Sequence, residues 1–266
     1  MKQTISVCII SGAEAHRLDN CLASVDGLAN EVIVVVDDRA NDGTAEVARG
    51  RGAKVFIEQW KGHIGQKNSA ADKASGDWIL SLDADEAVSS RLREEISPAV
   101  RAETNSFSAY SFPRCSQYLG RWIRYGDWYP DRQTRLWRRG SARWGGTDPH
   151  DKLIVDGKVG KLQGDLLHYS MTGFDHQISK TIVYADEFVR QSEAQARKVS
   201  MADLLIRPTY RFIRGYFLRC GFLDGWQGYS IAWMTAFYTF LRYAKAKEAQ
   251  EKSRMNERTT DRGLSL

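Results

Sequence analysis

In the N-terminal third of the chain, acidic residues cluster at three places, each just past a short apolar run: Glu14, the pair Asp37-Asp38, and Asp83-Ala84-Asp85-Glu86. Grouped carboxylates are hard oxygen ligands. They suit Mg2+ or Mn2+, which bind through one or two of them and complete their shells with water and substrate phosphate. The chain has no G-x-G-x-x-G after its first apolar run and no G-x-x-x-x-G-K-[ST], the loops whose backbone amides cradle phosphate. A phosphate ligand would therefore find its countercharge in a cation held by carboxylates. Taken alone, Asp83–Glu86 also reads as a polar turn; with Asp37-Asp38 at a neighbouring run, the functional reading is favoured.

Strands must bring these acids to one place. Ile5–Ile10, Glu31–Val36, Lys54–Ile57 and Trp78–Leu82 are short, mostly β-branched apolar runs that read as strands. Arg17–Leu28, Thr44–Arg51 and Gln66–Ala74 read as the helices between them, with Asn41-Asp42-Gly43 as a turn. The alternation predicts an α/β fold with a mainly parallel sheet and helices on both faces. Such sheets bind ligands beyond the carboxyl ends of their strands, where the acids stand. Farther on, Ser90–Val100 reads as a helix, Phe107–Phe112, Gln133–Trp137 and Leu166–Tyr169 as strands, and Phe174–Lys198 as a long helix. The aromatic stretch from Tyr118 to Tyr129 reads as a functional loop. Pro208 is expected to open a helical segment, followed by a helix from Trp226 to Lys247 and a frayed polar tail from Glu248. The expected division is a catalytic domain over 1–200, a helical appendage over 201–247 and a tail over 248–266.

The chain has 266 residues, 42% hydrophobic and 27% charged, a balance that excludes wholesale disorder. A net charge of +5 suits an acidic partner or is only a solubility margin. Position favours a partner: Arg207, Arg211, Arg214 and Arg219 interleave with Tyr210, Phe212, Tyr216 and Phe217, and Trp226, Trp233, Phe237 and Phe240 follow. No run approaches the ~20 apolar residues that span a bilayer, so the pattern points to helices lying against an anionic membrane surface. Packing on the catalytic domain, or on a second copy in a homo-oligomer, is the other reading. No nucleic-acid signature accompanies the charge. The four cysteines are scattered, without a C-x-x-C, as in a reducing compartment. The start lacks the features of a signal peptide, so a cytoplasmic location at the inner face of the membrane is expected.

From Ser6 to Glu86 the sequence closely resembles glycosyltransferase family 2, of the GT-A fold. The resemblance rests on Ser-Val-Cys-Ile-Ile-Ser (6–11) with Glu14, on Glu31–Asp38 followed by Asn41-Asp42-Gly43-Thr44, on Gln66-Lys67-Asn68, and on Gly76–Glu86. More narrowly it resembles the branch with lipopolysaccharide core glucosyltransferases, through Trp60, Tyr129-Pro130-Asp131, Arg135-Leu136-Trp137, His150-Asp151, His168-Tyr169-Ser170 and Gly221–Gly225. The resemblance implies an inverting, metal-dependent transfer from a UDP-sugar, UDP-glucose above others, to a glycan or lipid-linked acceptor. Ser11, Glu14 and Asp37 are then expected at the uridine, Gln66 and Asn68 near the donor, Asp83 at the ribose or sugar, and Asp85 on Mn2+ or Mg2+. His168 either completes the metal site or is a core histidine. Arg132 and Arg135 are phosphate clamps or ordinary ion pairs.

Inversion needs a carboxylate on the acceptor side as general base. Asp148 and Asp151 are the candidates; Asp151 matches the family's place, where His-Glu is usual, and Asp148 with Pro149 also reads as a turn. Two other functions compete. A nucleotidyltransferase would carry a glycine-rich basic loop after the first strand, which Ser11-Gly12-Ala13-Glu14 is not. A non-catalytic membrane-bound module would not be expected to retain Asp37, Asp83 and Asp85.

Overall fold

A computed structural model describes residues 3–101, 106–147, 150–171, 173–194 and 198–263. In chain order the elements are β1 (Ile5–Ser11), α1 (Ala15–Ser24), β2 (Glu31–Asp37), α2 (Thr44–Gly50), β3 (Lys54–Glu58), α3 (Gly62–Asp72), β4 (Trp78–Asp83), β5 (Glu86–Val88) and α4 (Ser90–Arg101). There follow β6 (Phe107–Tyr118), β7 (Arg121–Trp122), β8 (Asp131–Arg138), β9 (Ala142–Thr147), β10 (His150–Val155), β11 (Lys158–Lys161) and β12 (Leu166–His168). The helices α5 (Phe174–Ala194), α6 (Met201–Ile213) and α7 (Gly225–Gly263) close the chain. It divides into two compact units, one of residues 1–116 and 130–170, the other of residues 117–129 and 171–266.

The first unit is built on a mixed sheet in the order β3-β2-β1-β4-β8-β6-β12-β5, with β11 also beside β6. The expected parallel order holds over β3, β2, β1 and β4. Beyond it the sheet turns mixed, because β8 runs antiparallel to both β4 and β6. The inner strands are apolar on both faces because both are covered. Val7 and Ile9 join Leu18, Ala48, Leu92 and Ile96 of α1, α2 and α4 on one face. Cys8 and Ile10 join Ala70 of α3 on the other, with Trp137 and Trp144. Trp78 and Trp137 are fully buried in this core. Strands β9 and β10 form a separate two-stranded hairpin.

The second unit is mainly helical. Its first stretch carries the end of β6 paired with β7 and a short 3₁₀ turn, Gly126–Trp128. There Tyr118, Ile123 and Ile231 form a small core with Trp128 and Met171. Farther along, Val199, Tyr243 and Ala246 pack with Phe188 and Leu204. The buried Asp224 carboxylate accepts the backbone N–H groups of Arg124 and Tyr125 at 3.1 and 2.8 Å. This locks the turn Gly221–Asp224 that leads into α7.

Two expectations about this region are corrected. Pro208 lies inside α6 rather than at its start. The helix begins at a capping box, in which Ser200 Oγ accepts from the N–H of Asp203 and the Asp203 carboxylate accepts from the N–H of Ser200, a stronger start signal than proline. Nor does α7 fray at Glu248: it runs to Gly263, with Lys247–Glu251 and Lys252–Glu248 pairs one turn apart that support an exposed helix.

Candidate active site

Ser11, Asp37 and Asp83 are the last residues of β1, β2 and β4. Because these strands are parallel, all three arrive at one edge of the first unit. Glu14 follows β1, and its position is built by the turn after β2. Thr44 Oγ1 accepts the Glu14 N–H at 3.1 Å and Asp42 accepts the Ala15 N–H at 3.0 Å. Gly43 allows that turn with φ +87°, a value costly for other residues.

Asp83 and Asp85, two residues apart, have different surroundings. Asp83 faces cations: Lys67 Nζ lies 3.0 Å from one carboxylate oxygen and Arg135 donates to the other at 2.8 Å. Burial alone would raise its pKa, but Arg135 and Lys67 more than reverse this and hold the carboxyl well below its usual range. Asp85 instead meets His168, whose Nε2 lies 3.4 Å from Asp85 Oδ2, while His168 Nδ1 shares a 3.1 Å hydrogen bond with Ser116 Oγ. Arg17 stands 3.7 Å from both Asp85 and Glu14. Burial, and then the charge of Asp85, raise the Glu14 carboxyl above its ordinary range.

Asp151 lies on β10, opposite Gly146. Its Oδ2 accepts from Lys67 Nζ at 2.8 Å, so one buried ammonium joins Asp151 to Asp83. Lys67 is 3% exposed and lies over the Trp144 ring at 4.7 Å. Asp148 lies outside the described residues.

Other expected residues are placed as follows. Both polar ends of the Asn68 side chain are used by the Trp144 backbone, each at 3.0 Å, so Asn68 fastens α3 to β9. Gln66 is fully buried, its Oε1 accepting weakly from the Lys61 N–H and its Nε2 without a hydrogen-bond partner among the described residues. Ser11 Oγ donates to the Gly12 carbonyl at 3.2 Å. Asp37 is held by Arg39, which donates from its backbone N–H, Nε and Nη2 and draws the carboxyl down to about 2. Arg132 donates to the carbonyls of Ser111 and Leu162. Of the two arginines, only Arg135 reaches the acidic edge, where it also touches Glu86 at 3.3 Å.

Three contributors had no assigned role in the sequence reading: Lys67, Glu86 and Trp144. Glu86 is buried, accepts the Asp83 N–H at 3.0 Å and has Arg114 3.6 Å away. The signal for Lys67 was its place inside Gln66-Lys67-Asn68, a charged residue on a helix that must face the sheet.

Asp85 Oδ2 and His168 Nε2 are close enough to share one ion, and the Ser116 bond orients the imidazole as second shells do. Among the described residues no group of three such side chains gathers. The pair therefore suits an ion that takes the rest of its shell from phosphate and water.

Glu14, Asp37, Asp83, Asp85 and Asp151 lie within a stretch that matches a known family: the sequence profile described as Glycosyl transferase family 2 covers residues 6–154. The chain belongs to glycosyltransferase family 2. As a family 2 glycosyltransferase it is similar along nearly its whole length to named relatives. An uncharacterized glycosyltransferase of Rickettsia prowazekii is 30% identical over 265 residues, 94% of this chain and 88% of its own. The lipopolysaccharide core biosynthesis glycosyltransferase LpsC of Rhizobium meliloti is 30% identical over 251 residues, 92% of each chain. Among solved structures, mannosyl-3-phosphoglycerate synthase of Rubrobacter xylanophilus aligns over 78% of this chain and 80% of its own, at 14% identity and a TM-score of 0.45.

Proposed function

We propose that this glycosyltransferase inverts the anomeric carbon as it moves a hexose from a UDP-sugar, UDP-glucose being the donor to test first, to a lipopolysaccharide core or another lipid-linked glycan. The observation that carries the reading is the gathering of Asp83, Asp85, His168 and Asp151 at one strand edge. The acceptor class is supported by the likeness to LpsC.

In this mechanism Glu14 and Asp37 hold the uridine side. Asp83 orients the sugar, its charge fixed by Lys67 and Arg135. Asp85 and His168 are the residues that would hold Mn2+ or Mg2+, and the ion would supply positive charge to stabilise the departing diphosphate. Lys67 occupies Oδ2 of Asp151 and leaves Oδ1 to take the acceptor hydroxyl proton. The acceptor oxygen then bonds to the anomeric carbon, the bond from that carbon to the diphosphate oxygen breaks, and UDP leaves with the electron pair. No covalent enzyme intermediate forms.

The membrane belongs to the same proposal. On α7, Trp226, Tyr229, Trp233, Phe237 and Phe240 recur every three or four residues and are all exposed, as are Ile206, Tyr210, Ile213 and Phe217 on α6 and the turn after it. Apolar stripes left open on two successive helices suit a binding surface, and arginines beside them favour an anionic bilayer surface. No described helix is long and apolar enough to cross a membrane. The protein is thus read as a peripheral enzyme of the cytoplasmic membrane face.

The test is UDP calorimetry with and without Mn2+, joined to donor turnover. Asp85→Ala should remove the dependence of UDP binding on metal. Asp151→Asn should keep UDP affinity and lose about 10²–10⁴ in rate. Equal UDP affinity with and without Mn2+ in the wild type would refute the metal site. Full turnover in Asp151→Asn would move the base to Asp148.

A further inference from the structure

In the second unit a cavity of about 250 Å3 opens between the 3₁₀ turn at Asp127-Trp128 and the helices α5, α6 and α7. That is below the roughly 300–1,000 Å3 of drug-sized ligand sites, and it suits a single small ring. Its walls combine three chemistries. Trp128, Tyr184 and Tyr238 supply aromatic surface, the kind that packs against the C–H face of a sugar. Gln177 and Thr181 also line it, the Gln177 Oε1 accepting from the Tyr118 hydroxyl and the Thr181 hydroxyl donating to the Gln177 carbonyl. Lys180 and Arg211 supply positive charge, and Asp127 is the one carboxylate on the wall.

The charges do not balance. Asp127 is nearly buried, and three guanidiniums surround it: Arg214 at 2.9 Å, Arg211 at 3.5 Å and Arg219 at 3.6 Å. Neither Asp127 oxygen makes a hydrogen bond of good geometry among the described residues. A single carboxylate cannot neutralise three arginines, and Lys180 on the same wall has no acidic partner among the described residues. On the cavity wall itself Lys180 and Arg211 face the single carboxylate of Asp127, an excess of one positive charge that attracts an anion. Arginine donors already held near one carboxylate are oriented to bind a second anionic group.

We infer that this cavity binds a saccharide carrying a negative charge, a phosphate or carboxylate on the ring. The ring lies against Tyr184, Tyr238 and Trp128, and its anionic group meets Lys180 and Arg211. The aromatic wall separates the site from a plain anion site, which would hold inorganic phosphate as well as a sugar phosphate.

The experiment uses the full chain and four probes: glucose 6-phosphate, glucuronate, glucose and inorganic phosphate, each titrated by calorimetry without donor. The two charged sugars should bind about tenfold or more tighter than glucose, the scale of one hydrogen bond to a charged group, and tighter than inorganic phosphate. Lys180→Ala should remove most of that advantage. Tyr184→Ala should weaken the charged sugars and leave inorganic phosphate unaffected. Far-UV circular dichroism of each variant checks that it is folded. Equal binding of glucose and glucose 6-phosphate, no binding of either charged sugar, unchanged affinity in both variants, or phosphate binding as well as the sugar phosphate would each overturn the inference.

Discussion

Lys67 is the residue whose removal tests the site most directly. It is 3% exposed and stands 2.8 Å from Asp151 and 3.0 Å from Asp83. Lys67→Met keeps the length of the side chain over Trp144 and deletes the charge. Removing one partner of a buried ion pair typically costs about 3–5 kcal/mol, because the other charge is left uncompensated. Here two circumstances reduce the cost. Arg135 still donates to Asp83 at 2.8 Å, and the Asp151 side chain, 16% exposed, regains some water. The expected loss is therefore about 2–3 kcal/mol. A urea-unfolding cycle with Lys67→Met, Asp151→Asn and the double variant measures it. The double variant should recover about 1–2 kcal/mol relative to additivity, since the carboxylate that lost its partner is gone too. A Lys67→Met loss below about 1 kcal/mol, or strict additivity, would refute the claim that one buried ammonium joins the two halves of the site.

Three further outcomes follow from named contacts. Ser116→Ala removes the hydrogen bond to His168 Nδ1 and should weaken Mn2+-dependent UDP binding by about 10–100-fold, read by calorimetry at fixed nucleotide; unchanged affinity would take His168 out of the ion's shell. Glu31 is held down to about 2 by Lys54, Ser6 and Ser75 despite some burial. Its folded pKa lies below its unfolded one, so its contribution is full above about pH 4.5 and fades as pH falls toward 2; Glu31→Gln should cost about 1–2 kcal/mol at pH 7 after solvent screening and almost nothing near pH 2, by thermal melts across that range. At Gly228, an added Cβ would stand 1.9 Å from the Gly221 carbonyl oxygen, so Gly228→Ala should destabilise the second unit by about 1–3 kcal/mol, seen as earlier loss of helical circular dichroism.

The strands of the first sheet were legible because burial on both faces leaves them continuously apolar: Ile5–Ile10 and Glu31–Val36 each fall within one residue of the observed ends. The acidic edge was legible for the same reason, since charge that follows such a run has nowhere to go but its carboxyl end. Short elements left weaker traces. Glu86–Val88 is a three-residue strand made by pairing with β12, and β9–β10 has too few apolar residues to show a period. What no local pattern carries is partnership at long range. Lys67 and Asp151 are 84 positions apart, and Ser116 and His168 are 52 apart. Asn68 looked like a ligand-side residue, yet its amide is spent on the Trp144 backbone. Only the fold shows which of two polar neighbours on a helix points to backbone and which to charge.

The unequal surroundings of Asp83 and Asp85 have a consequence for how the strand edge sorts its visitors. Asp83 is saturated by Lys67 and Arg135, whereas Asp85 and Glu14 share one arginine at 3.7 Å. An arriving cation thus finds less countercharge at Asp85 and Glu14 than at Asp83, and its address is written by that deficit rather than by the number of acids. Two aspartates spaced as twins in the sequence have divided their labour: loss of one should register first as a protein that unfolds sooner, and loss of the other as a protein that folds and stands idle.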